Sequence, residues 1–145
     1  MTLLTALLSL VATQTVVVLD VSAEDAVYED ESRALAMEAV ELMNAKGLTA
    51  RRVDESELPP QGCRAGPCLE RVAKGSDVLV TLDVAELGKG KLGVAVTALA
   101  GRTGMPLAGG RYHVGPKTKR PPKELEAFVQ KVIKAVTPQQ KRDGG

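Results

Sequence analysis

Aromatic side chains are almost missing from this chain: across 145 residues there is no tryptophan, and the rings are Tyr28, Tyr112 and Phe128. Single-stranded nucleic acids are held by stacking bases on aromatic platforms, and so few rings build no such platform. Nucleic acid is therefore not an expected partner, and an aromatic sugar-binding shelf is equally hard to assemble. Histidine is scarcer still, His113 being the single one, and the cysteines are Cys63 and Cys68 alone. A structural zinc site takes four Cys or His ligands, so none can be completed within one chain, and neither metal nor other cofactor is expected. A nucleophile elbow, a Walker loop, a dinucleotide fingerprint and an HExxH helix are also absent. His113 has no Ser, Cys or carboxylate at a catalytic spacing and reads as a partly exposed strand residue. Nothing here assembles into an enzyme's active site.

What is present suits one globular domain: 44% of residues are hydrophobic, 26% are charged, and the length allows a single sizeable core. Net charge is +1, but the two signs are separated along the chain. Residues 20–60 carry eleven acids against four bases, and residues 111–145 carry nine bases against three acids. Most such charge is solvated helix surface; the run Lys117, Lys119, Arg120 and Lys123 is dense enough to be a candidate partner-binding site.

The opening run MTLLTALLSLVA is too short to span a membrane and has the length of a signal-peptide core, which suggests export. No Lys or Arg precedes it. The rival reading is a buried helix or first strand of a cytosolic domain. Cys63 and Cys68, in QGCRAGPC, have four residues between them rather than the two of a thioredoxin-type pair. In an exported chain this spacing favours a local structural disulfide.

Hydrophobic periodicity orders the elements. TVVVLDV at 15–21 is a strand buried on both faces. Residues 30–46 place Leu35, Ala39, Leu42 and Met43 at helical spacing and stop at Gly47. A short strand at 48–53 completes β-α-β, with a right-handed crossover and parallel pairing. Pro67 opens a short helix carrying Leu69, Val72 and Ala73, closed by Gly75. Alternating runs at 76–87 and 91–100, joined by Gly88-Lys89-Gly90, read as a hairpin, and a third antiparallel strand follows near 107–114. The glycines of GKGKLG lie between strands with no helix amino terminus after them, which makes them a turn and not a phosphate loop. Residues 122–136 bring Leu125, Phe128, Val129, Val132, Ile133 and Val136 onto one helical face. The expected architecture is α/β in the α+β sense: one mixed sheet of about five strands, order β-α-β-α-β-β-β-α, helices mainly on one face. Residues 1–14 are the expected signal peptide, 15–137 the single domain and 138–145 a disordered tail. Asp20, at the carboxyl end of the first strand, stands where α/β sheets hold ligands, with helix capping or a loop role as the alternative.

The C-x4-C element ahead of a short helix, CRAGPCLERVAKGSDVLVTLDV, and the turn GRTGMPL resemble features of the TolB amino-terminal domain-like group, related to CsgG- and FlgO-type periplasmic domains. The resemblance covers roughly residues 15–136. It implies a periplasmic or envelope interaction domain with no catalytic residues to carry over. No lipobox cysteine stands near the leader, so the lipid anchor of the CsgG and FlgO type is not expected. The function expected is an exported, non-catalytic interaction or scaffold module of the bacterial cell envelope. Its partner would be an envelope protein or a second copy of the chain. The alternatives are a thiol-disulfide redox protein using Cys63 and Cys68, and a cytoplasmic regulatory domain.

Overall fold

The computed structural model describes residues 14–22, 29–58, 63 and 66–136, so the expected leader, apart from Gln14, and the expected tail lie outside the described residues. In chain order the elements are β1 (Thr15–Ser22), α1 (Glu29–Ala45), β2 (Thr49–Arg52), a 3-10 turn (Glu55–Glu57), α2 (Gly66–Ala73), β3 (Val78–Gly88), β4 (Lys91–Ala100), β5 (Pro106–Val114) and α3 (Lys123–Val136). The strands form one mixed sheet in the spatial order β2-β1-β3-β4-β5. β1 pairs in parallel with both β2 and β3, while β3-β4 and β4-β5 are antiparallel. The α+β order β-α-β-α-β-β-β-α read from the periodicity is the order observed.

β1 is central in the parallel half, and its four consecutive residues Val16, Val17, Val18 and Leu19 are all buried. Strand side chains alternate between faces, so a run of this kind needs a cover on both. Val16 and Val18 join the larger core beneath α1 and α3, with Leu35, Met43, Leu82, Val96 and Phe128. Val17 and Leu19 join a smaller core on the opposite face, with Val53, Cys63, Cys68, Val72 and Leu79. Two helices therefore pack on one face and the short α2 on the other.

Local chemistry fixes the ends. The β3-β4 turn runs through Gly88, Lys89 and Gly90, all at positive φ, which two glycines adopt without strain. Asp77 ties the starts of β1 and β3 together, its Oδ2 accepting from Thr15 N–H and Thr15 Oγ1 at 2.9 and 3.0 Å. α3 carries Glu124 and Glu126 in its first turn and Lys134 in its last, matching the helix dipole. It reaches β5 over Gly110, where an added Cβ would already lie 3.7 Å from Phe128 Cβ. At the other edge of the sheet the outward backbone groups of Ala50 in β2 are taken up. Thr49 and Val53 N–H point to β1, so Ala50 faces away, and its N–H donates to Asn44 Oδ1 at 2.8 Å while Asn44 Nδ2 donates to Ala50 O at 3.2 Å.

Phe128 is 1% exposed and is the sole ring of α3, so its loss leaves a cavity that one helix and one sheet cannot close. Phe128→Ala is expected to cost about 3–5 kcal/mol, read as a lowered midpoint in urea-induced unfolding at unchanged slope.

Candidate functional site

Ligands of open α/β sheets settle beyond the carboxyl ends of neighbouring strands, at the point where their connections run in opposite directions. In the order β2-β1-β3-β4-β5 that point lies between β1, whose connection runs out to β2, and β3, whose connection runs the other way to β4. An open groove of about 480 Å³ lies one strand away, between α1 and the carboxyl end of β2, lined by Arg33, Met37, Arg52, Val53 and Asp54. Its inner wall is an ion pair. Arg52 Nε and Nη2 donate to the two carboxylate oxygens of Asp20 at 2.7 and 3.1 Å, a bidentate arrangement that satisfies both ends. Asp20 therefore neither caps a helix nor stands open to a ligand; it holds Arg52 in place. Just outside, Arg51 donates to Glu57 Oε1 at 2.9 Å. That bond, aided by the Asp54 N–H, holds the exposed Glu57 carboxyl below the usual glutamate range.

The candidate residues read from the sequence fall on opposite faces of the sheet. Cys63 and Cys68 are joined as a disulfide, S–S 2.03 Å, and both are buried in the small core with Val72 and Leu79. The basic connector lies on the other face, between β5 and α3. Lys117, Lys119 and Lys123 are exposed there. Arg120 differs from them, because its Nε donates to Glu38 Oε2 on α1 at 2.7 Å. The basic run is thus three exposed lysines and one arginine tied to the fold. His113 is exposed on β5, as its place in an alternating strand suggests. Among the described residues no group of three or more His, Cys, Asp or Glu could hold a metal ion.

The sequence gives no warning of a polar cluster beneath the connector. Tyr112 on β5 is 3% exposed, and its hydroxyl has no hydrogen-bond partner; neither has the buried Oε1 of Glu38. Burial first, and the Glu38 carboxylate second, raise the Tyr112 phenol far above the usual tyrosine range, with Arg120 partly opposing them. These three residues are separated by up to 82 positions in the chain, so only the packing of α1 against the β5-α3 connector brings them together.

A phenol whose ionisation is resisted in the fold stabilises the protein fully below the ordinary tyrosine pKa of 10.0. Above it the unfolded chain sheds a proton that the folded chain keeps, so stability falls as pH rises. Wild type is expected to lose about 1.4 kcal/mol per pH unit above about pH 10 relative to Tyr112→Phe. Urea unfolding of both proteins between about pH 9 and 11 measures the difference, and parallel curves would contradict it.

No protein-family model matches the chain, and no curated protein matches it. Solved structures do. A PelC dodecamer from Paraburkholderia phytofirmans is 12% identical, with 85% of this chain and 87% of that one covered at a TM-score of 0.51. The LpoB C-terminal domain from Salmonella enterica is 12% identical, covering 77% and 90% at a TM-score of 0.52. The lipoprotein GNA1162 from Neisseria meningitidis is 15% identical, covering 88% and 99% at a TM-score of 0.51. At such identities the likeness is one of fold alone.

Proposed function

We propose that the protein is an exported interaction or scaffold module of the bacterial cell envelope, without catalytic activity of its own. The observation that carries this reading is the buried Cys63–Cys68 disulfide, seated inside the small core under α2. Disulfides persist in oxidising compartments and are rare in the reducing cytosol. The apolar run at the amino terminus and the fold shared with the lipoprotein GNA1162 support the same location. The resemblance to the TolB amino-terminal group belongs to this reading too. A redox role is disfavoured, because exchange requires a thiolate to reach a sulfur, and both sulfurs belong to residues at most 9% exposed.

Protein isolated from the envelope of its own host is expected to lack residues 1–12 by intact mass, and to contain no free thiol before or after denaturation. Replacing both cysteines with serine is expected to lower stability by about 2 kcal/mol, the entropy of opening a loop this short. Retention of the amino-terminal run together with two free thiols would overturn export.

For the partner we propose an acidic envelope protein that meets Lys117, Lys119 and Lys123. Exposed charges act at long range and are screened by salt, so replacing these three with serine is expected to slow association and flatten its salt dependence without moving the melting temperature. Arg120 is left in place, since it is hydrogen-bonded to Glu38 Oε2 and its loss would remove that partner from the fold. Pull-down from envelope extract at low and high salt compares wild type with the triple variant, and equal recovery of every partner would exclude the connector. PelC assembles as a dodecamer, which makes a second copy of the chain a further partner to consider.

A further inference from the structure

Among the described residues, nothing packs on one face of the antiparallel half of the sheet. The small core under α2 takes Leu79 at the start of β3 and Leu99 at the end of β4, and goes no further along these strands. Beyond it the same face carries Thr81, Asp83 and Ala85 of β3, Ala95 and Thr97 of β4, and Arg111 of β5. The opposite face of these strands is the large core, so its residues Val84, Val94 and Tyr112 are buried while Asp83 and Arg111 are exposed.

The charges on the open face are arranged in register. Asp83 pairs with Ala95, and Ala95 pairs with Arg111, so the three form one straight row across β3, β4 and β5. An acid and a base therefore stand at equal distances on either side of a methyl group, about 10 Å apart across the middle strand. At that separation they make no ion pair with each other, and among the described residues neither forms one elsewhere. A two-fold axis running along β4 and passing over Ala95 turns β3 onto β5. It sets Asp83 of one copy opposite Arg111 of the second, and Arg111 opposite Asp83, with Ala95 on Ala95 between them. The neighbouring row follows the same rule, placing Thr81 against Gly109. The strands of the two sheets then run nearly aligned, the usual geometry of face-to-face sheet packing. The side chain of Leu87, 53% exposed, adds apolar surface beside the row on the same face.

We infer that this face is the contact surface for a second copy of the chain, forming an isologous dimer held by two reciprocal Asp83-Arg111 pairs. The inference does not depend on where the protein resides or on the lysine connector. Three strands present only a few hundred Å² per copy, well under the roughly 800 Å² per partner of a standard stable interface. The dimer is accordingly weak, with a dissociation constant on the order of 10–100 µM.

Sedimentation equilibrium of the full chain from about 1 to about 500 µM at low salt tests it. Wild type is expected to dimerise, and raising sodium chloride from about 50 to about 500 mM to weaken the dimer several-fold. Asp83→Arg and Arg111→Asp each set like charges face to face, and each is expected to raise the dissociation constant at least about tenfold. The double variant carrying both changes restores opposite charges and is expected to return to within about threefold of wild type. Unchanged circular dichroism and melting temperature keep misfolding out of the comparison. A wild type that stays monomeric throughout, or a double variant that dimerises no better than the single ones, overturns the proposal.

Discussion

Everything else in the molecule follows from a strand that cannot touch water on either side. The four buried residues Val16, Val17, Val18 and Leu19 alternate between two cores, so β1 is stable only once both faces are roofed. The connections supply the roofs in sequence: the chain leaves β1 into α1 on one side, and leaves β2 into α2 on the other. α2 spans only Gly66–Ala73, too short to be stable by itself, and the disulfide at Cys63–Cys68 anchors it where it starts. The antiparallel half has α3 as its roof on the large-core face, and among the described residues its other face carries none beyond Leu79 and Leu99.

Elements whose signal is local were legible in the sequence. α3 could be read because Leu125, Phe128, Val129 and Val132 repeat at the helical period and all four are buried. The β3-β4 hairpin could be read because its alternation is interrupted by two glycines that the turn requires. The double burial of β1 showed as an unbroken apolar run, and the β-α-β order then fixed parallel pairing.

The polar contacts were not legible, because each depends on distant segments meeting. Asp20 stood out at the carboxyl end of β1, yet nothing near it in sequence announces Arg52, 32 residues away. Arg120 read as one of four equivalent cations, and only the seating of α1 beside the connector singles it out as the partner of Glu38. The charge separation along the chain thus partly closes on itself: one acid of the acidic segment and one base of the basic segment meet at the surface between α1 and the connector. Tyr112 gave the least warning of all, since a tyrosine in an alternating strand points inward as easily with a partnered hydroxyl as without one.

The amide of Asn44 mimics a missing neighbour. By offering one donor and one acceptor to Ala50, it presents to β2 what the next strand of a sheet would present, and it occupies the position that such a strand would need. At Ala50 that border is therefore occupied by a side chain of the protein's own helix, which an added strand would have to displace. Strand-on-strand growth at this edge would have to give up two hydrogen bonds already made within the chain, so the Asn44 amide works against extension there.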